Sequence, residues 1–187
     1  MPTLTSTDLS SLAGSYTIDP SHSRLGFVAR HAMVTKVRGN FNEFEGSFKV
    51  DGDDPSNSSA QVVIQATSID TRNADRDGHL RSNDFFAMEE HPTVRFESTD
   101  ITKVGDTEYQ VTGDLTIRGV TQPVTLDLEF TGSAIDPWGN TRVGFEGATV
   151  VNRRDWGLNW NAPLDAGGVL VSEKVTLEVE ISATRDA

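Results

Sequence analysis

Over much of its length the chain alternates, one apolar residue then one polar, with a period of two. Tyr109, Val111, Gly113, Leu115 and Ile117 interleave with polar partners. Val124, Leu126, Leu128 and Phe130 do so against Thr125, Asp127 and Glu129. Val143, Phe145, Gly147, Thr149 and Val151 follow, and the longest run is Val169, Val171, Val175, Leu177, Val179 and Ile181. Successive side chains of a strand point to opposite faces, so each run describes a strand with one dry and one wet side. Earlier strands are expected at 15–19, 25–30, 61–68 and 93–103. Between 37 and 50 the phase slips: Phe41 is on an odd position, while Phe44, Gly46, Phe48 and Val50 are on even ones. A bulge or sharp bend near Asn42–Glu43 is the expected cause, and such bends let a sheet curl into a barrel. Turn residues punctuate the runs at 51–55, 105–106, 118–119, 136–139 and 166–168.

About eight strands with short connections make an antiparallel meander rather than a parallel βαβ sheet. The fold class is therefore all-β: a single antiparallel barrel. Residues 1–14, rich in Ser and Thr, read as a flexible N-terminal arm, and 15–187 as one barrel domain. The segment from Asn73 to Met88 lacks the alternation. It is expected to form a short helical plug over one barrel end, with Leu80, Phe85 and Phe86 as its apolar side.

Acidic residues outnumber basic ones, 28 to 16, for a net charge of −12. Phosphate backbones and anionic lipid surfaces repel such a chain unless a local basic patch intervenes. No Lys/Arg cluster beyond Arg153–Arg154 is visible, so nucleic acid is set aside as a partner. Without cysteine there are no disulfides, thiolate nucleophiles or cysteine-based zinc sites. The first residues have no basic start and no continuous apolar run, unlike a signal peptide. No stretch approaches the ~20 apolar residues of a membrane-spanning helix. A cytoplasmic protein that is not membrane-integral is the expectation.

A barrel of about eight strands has room for its own side chains or for one small ligand. Both outcomes fit the pattern. Strand glycines at Gly39, Gly46, Gly113, Gly144 and Gly147 mark bends or close approaches and suit an open tube. The candidate lining is Phe27, Phe41, Phe48, Ile64, Leu80, Phe85, Phe86, Phe96, Leu115, Ile117 and Phe145, with Trp156 and Trp160 at the mouth. Trp138 lies in an Asp-Pro-Trp-Gly turn and reads as a surface residue. Such a wall suits a hydrocarbon.

The histidines His22, His31, His79 and His91 lie near turns or the plug, and Asp77 and Asp84 are close in sequence. No H-x-x-x-H or H-E-x-x-H spacing is present, so no metal and no catalytic residue is assigned. Polar residues that close a barrel end are commonly hydrogen-bonded to buried backbone. The alternative role is contact with a lipid head group, for which His22, Arg76, His79 and Arg153 are the candidates. Arg76–Asp77 and Arg153–Arg154–Asp155 either pin the plug to the rim or meet a phosphate or ring oxygen.

Several stretches together resemble the YceI-like polyisoprenoid-binding family. They are Tyr16-Thr-Ile-Asp-Pro-Ser-His-Ser23 with Gly26-Phe27 and His31; Gly39-Asn-Phe-Asn-Glu-Phe-Glu-Gly46; Ser68-Ile-Asp-Thr71; Arg76-Asp-Gly-His-Leu-Arg-Ser82 with Asp84-Phe85-Phe86; His91-Pro92 with Arg95-Phe96-Glu97-Ser98; Gly113 to Val124; and Asn152-Arg-Arg-Asp-Trp-Gly157. The resemblance covers about Tyr16 to Ile181. It implies a lipocalin-like barrel around a polyisoprenoid or isoprenoid-quinone-like tail, held without chemistry and without a cofactor. Transport, storage or supply to isoprenoid metabolism are the implied tasks, and homodimers are implied as an option. Many relatives are periplasmic, whereas this sequence shows no signal peptide. Two other functions remain open: an isoprenoid-modifying enzyme with His79 and Asp77 as a proton-transfer pair, and an interaction module with a filled barrel.

Overall fold

The computed structural model describes residues 3–4, 9–162, 164 and 170–186. Its strands are β1 (Thr3–Leu4), β2 (Gly14–Ile18), β3 (Arg24–His31), β4 (Thr35–Phe41), β5 (Phe44–Val50), β6 (Ser59–Gln65), β7 (Ile69–Asp70), β8 (Thr93–Lys103), β9 (Glu108–Ile117), β10 (Val120–Ile135), β11 (Thr141–Asn152) and β12 (Lys174–Arg185). The α-helix α1 is Ala74–Arg81. Of the first fourteen residues, Thr3–Leu4 pairs with Ala134 and Ser133 of β10, and Leu9–Leu12 forms a 3-10 turn. The expected turn at 166–168 and Val169 lie outside the described residues. Val171 forms an isolated bridge to His31, ahead of the final strand.

These strands close into an eight-stranded antiparallel barrel. β2 and β3 act as one bent strand, since both pair with β12: Ala183–Arg185 against Tyr16–Ile18, and Thr176–Glu180 against Arg24–Val28. β4 and β5 form the second, with β4 on β3 and β5 on β2. β6, β8, β9, β10 and β11 follow in turn, and β11 returns to β12.

Each bend has a local cause. At 42–43, where the apolar phase slips, the backbone leaves the ladder. Asn42 N donates to Ser68 O at 3.1 Å, and Glu43 O accepts from Gln65 N at 2.9 Å. Between β2 and β3, the Asp19 carboxylate accepts from Ser21 N (3.0 Å), Ser21 Oγ (2.6 Å) and Arg142 Nη1 (2.8 Å), and lies 2.8 Å from His22 Nδ1. Those hydrogen bonds, led by Ser21, hold the Asp19 pKa well below the usual carboxylate range. Register shifts at Ser98/Asp100 in β8 and Phe130/Gly132 in β10 add curvature.

The expected alternation is seen directly in β10, where Thr125, Asp127 and Glu129 are exposed while Val124 and Phe130 are buried. Leu126 and Leu128, on the buried phase, are only half-buried, and so are Val175, Leu177, Val179 and Ile181 of β12. Inward side chains that keep accessible surface face a space rather than a packed neighbour.

The plug differs in detail from expectation. The helix is short and polar, with Asn73 Oδ1 capping it by accepting from Arg76 N at 3.0 Å. Leu80 is on it, but Phe85 and Phe86 are not. They lie in the following turn, where Phe85 N bonds Ser82 O and Phe86 N bonds Leu80 O. A one-residue-per-100° reading of the segment runs past Ser82, where the helix stops.

Candidate functional site

A cavity of about 320 Å³ runs inside the barrel, from the plug to the β5–β6 turn at Pro55 and Ser58. Every candidate lining residue except Trp160 contributes to its wall. Aliphatic residues not singled out from sequence complete it, among them Ile18, Leu25, Val111, Leu126, Leu177 and Ile181. Their inward phase was visible in the alternation; the emphasis on aromatic rings passed over them.

Two of the strand glycines admit close approaches by aromatic rings. A Cβ on Gly39 would lie 2.3 Å from the Phe27 ring directly opposite it, and one on Gly113 would lie 2.5 Å from the Phe96 ring. The ends of both rings occupy the space a side chain at these positions would take. A large aromatic surface thus becomes wall instead of filling the lumen.

The two ends are built from different chemistry. Near the start of β2, Tyr16 is fully buried, stacks on Phe48 at 5.1 Å and donates from its hydroxyl to Leu12 O at 2.7 Å. Phe145 meets Phe48, Phe130 and Tyr109 at 5.4–6.4 Å between ring centres. Burial raises the Tyr16 pKa, with Arg185 opposing it. At the other end the plug is held largely by arginines on backbone carbonyls. Arg76 donates to Thr71 Oγ1 and Thr71 O, both at 2.7 Å. Arg81 reaches Thr67 O and Ile69 O at 3.1 and 3.2 Å. Arg118, in the two-residue β9–β10 turn, reaches Phe85 O and Gly157 O at 3.2 and 3.4 Å. Its role was not foreseen, since nothing in a hairpin Arg-Gly pair signals a distant acceptor.

Arg153 is the head-group candidate that lines the cavity. It is buried, and donates to Ser172 O (2.9 Å), Val171 O (3.3 Å) and Leu158 O. Its guanidinium sits 5.9 Å over the Phe85 ring. Among the described residues it forms no ion pair with a carboxylate. Burial first, and Arg154 second, lower its pKa, with Glu173 acting the other way. Trp156, also buried, presents its indole to the cavity and donates from Nε1 to Leu115 O at 2.8 Å.

The other head-group candidates point elsewhere. His22 is exposed and bound to Asp19 on the barrel side. Arg76 is spent on Thr71. His79 Nε2 lies 2.8 Å from Asp84 Oδ2, with its ring against Trp160 (4.4 Å) and Phe85 (5.1 Å). Trp160 packs on His79 and Phe85 and is not part of the cavity wall. The pairing of His79 with Asp77 is not formed: Asp77 is buried and accepts from Thr71 N (2.9 Å) and Thr71 Oγ1 (2.5 Å). Helical spacing of two residues sends their side chains to different faces. Among the described residues no group of three or more His, Asp or Glu is placed to hold a metal, and no helix is long and apolar enough to cross a membrane.

A closed eight-stranded antiparallel barrel with an apolar interior and a short plug is a lipocalin-like β-barrel protein. Residues 16–183 match the YceI-like domain, and the chain belongs to that family. A UPF0312 protein of Photorhabdus laumondii is 39% identical over 179 residues, 95% of this chain and 90% of the relative. One of Pseudomonas aeruginosa is 39% identical over 171 residues, 90% and 87% of the two chains. Among solved structures, Burkholderia cenocepacia BcnA superposes with a TM-score of 0.79 at 24% identity, covering 89% of this chain and 99% of that one. The Campylobacter jejuni YceI protein gives 0.73 at 26%, covering 84% and 90%. A polyisoprenoid-binding domain from Saccharophagus degradans gives 0.70 at 18%, covering 91% and 98%, which shows the shared fold.

Proposed function

We propose that this protein is a non-enzymatic carrier of one long apolar lipid, of the polyisoprenoid or isoprenoid-quinone kind, held within the barrel. The observation that carries this reading is the cavity itself, about 320 Å³, with a wall that is overwhelmingly apolar and built mainly of Phe, Val, Leu and Ile. That volume is in the range of small-molecule sites, roughly 300–1,000 Å³. Burying one five-carbon isoprene unit yields roughly 3–4 kcal/mol gross at about 0.8 kcal/mol per carbon, before ordering costs. Branched methyls suit the grooves between flat Phe rings and aliphatic side chains. A polar head group belongs at the plug end. There the Arg153 cation, held by neutral carbonyls, leaves positive potential beside the apolar wall and favours an electron-rich oxygen. The Saccharophagus domain of the same fold, named for polyisoprenoid binding, supports the choice of lipid.

The test is titration with a long-chain isoprenoid quinone in detergent, read by quenching of tryptophan fluorescence. Trp156 lies in the wall and reports directly. Saturable quenching by the long-chain quinone, absent in Phe96→Asp, is expected, because a lone carboxylate in an apolar tube is costly. Equal, unsaturable quenching of both proteins would rule the carrier out.

A further inference from the structure

The outward face of the β3–β4 hairpin is basic, although the chain as a whole is strongly acidic. Between positions 20 and 42 there is no aspartate or glutamate, yet the segment holds Arg24, Arg30, Lys36 and Arg38. Strand pairing gathers all four. Arg30 stands opposite Lys36, Val28 opposite Arg38 and Gly26 opposite Asn40, and alternation brings Arg24 to the same side. The opposite side, with Leu25, Phe27 and Ala29, faces the cavity. On the neighbouring strand, Lys174 shares the outer face, two residues before Thr176, which pairs with Val28. No cluster was apparent along the sequence because the cations are spaced apart and meet only across the hairpin.

Near the barrel body this charge is met by acid: Arg24 and Arg38 lie 3.2 and 3.9 Å from Glu178. Toward the tip it is not. Among the described residues neither Arg30 nor Lys36 has a carboxylate partner, and both are exposed. Like charges directly opposite each other destabilise a strand pair. Arg30 Nη1 makes one long hydrogen bond, 3.4 Å to the Val34 carbonyl across the turn, which leaves both charges uncompensated and open to an external anion. The tip adds a second feature. Met33 and Val34 are 62% and 74% exposed, in a three-residue turn between His31 and Thr35. That turn sits at the plug end: His31 bridges Val171, whose carbonyl accepts from Arg153, and Ala32 N donates to Leu170 O at 2.7 Å.

We infer that the β3–β4 hairpin docks the protein on an anionic lipid bilayer, with Met33 and Val34 entering the headgroup layer and Arg30 and Lys36 meeting lipid phosphates. Exposed apolar residues flanked by cations are the chemistry of an interfacial anchor. An acidic soluble partner would satisfy the cations but not the apolar tip. Repulsion of the remaining, acidic surface turns the molecule hairpin-first, and at physiological salt this acts only within about 8 Å of the surface. Docking does not depend on the carrier reading. Its consequence does: on that reading the plug end meets the bilayer, so a water-insoluble lipid moves between membrane and barrel without crossing water.

The test is flotation with phosphatidylcholine vesicles, with and without phosphatidylglycerol, at low and high salt. The wild-type protein should float with the anionic vesicles and not with the neutral ones, and high salt should weaken the binding. Arg30→Gln with Lys36→Gln should lower partitioning about thirtyfold, the effect of two cations near an anionic surface. Met33→Ser with Val34→Ser should lower it as well. All four positions are exposed, so unchanged thermal midpoints and unchanged quinone quenching in detergent confirm that each variant is intact. No flotation of the wild type, or variants that float equally, would overturn the inference. Loss only in the charge variant would overturn the entry of Met33 and Val34 into the headgroup layer and leave a purely electrostatic contact. Flotation without quinone quenching would instead keep the docking and remove the carrier.

Discussion

The two ends of this barrel are held by different physics. At one end rings pack together: Tyr16 on Phe48, with Phe145 among Phe48, Phe130 and Tyr109. At the other end, guanidinium groups of Arg76, Arg81, Arg118 and Arg153 reach carbonyls across loops. Ring packing gains most of its free energy from removal of apolar area from water, and water cannot replace it. Arginine–carbonyl bonds are exchangeable, because water offers similar bonds and the net gain of each is modest. On the proposed carrier reading one end stays packed while the other admits the lipid, and the exchangeable arginine–carbonyl bonds suit the second part.

The largest expected effect tests the ring-packed end. Tyr16→Ala removes a fully buried ring and its bond to Leu12, and should cost about 4 kcal/mol in denaturant unfolding. The fraction that stays folded should still take up one lipid. Arg153→Met tests the latched end. It leaves the carbonyls of Leu158, Val171 and Ser172 without their donor and should cost about 2 kcal/mol. It should also weaken a quinone more than a head-group-free isoprenoid hydrocarbon; equal loss for both would remove Arg153 from head-group recognition.

Asp19 separates these latches from a titrating one. Its folded pKa is depressed, so its contribution is present above the unfolded value near 3.9 and lost as pH falls through the folded pKa. Asp19→Asn should therefore cost on the order of 1 kcal/mol at neutral pH, and urea melts of variant and wild type should converge in acid. A constant gap at all pH values would contradict the network. The smallest effect belongs to Arg118→Ala, expected below about 1 kcal/mol in stability. Hydrogen exchange at amides 82–88 should accelerate while amides of β9 away from the turn do not change.

Period-two patterning made the barrel legible, because a half-wet strand leaves no other arrangement for its apolar residues. The bend at 42–43 was readable for the same reason: Phe41 and Phe44 cannot both face inward on a regular strand. Most lining residues could be named from phase alone. Whether they filled the lumen or walled it was not legible. That depends on Phe27 and Phe96 reaching over Gly39 and Gly113, a cross-strand relation that no local pattern encodes. The histidines lie near turns and the plug, as their positions in the sequence indicate, but nearness in sequence did not give their partners. His79 turned to Asp84 and Trp160 instead of toward the cavity. The basic hairpin face escaped notice for the mirror-image reason: Arg30 and Lys36 are six positions apart in the chain and face each other in the sheet.

Native mass spectrometry after incubation with a long-chain isoprenoid quinone measures the interior most directly. One quinone per barrel is expected on the wild-type protein, and none on Phe96→Asp or Leu115→Asp. Bare protein at every quinone concentration, or the same adducts on all three proteins, would contradict an apolar lumen that takes a lipid.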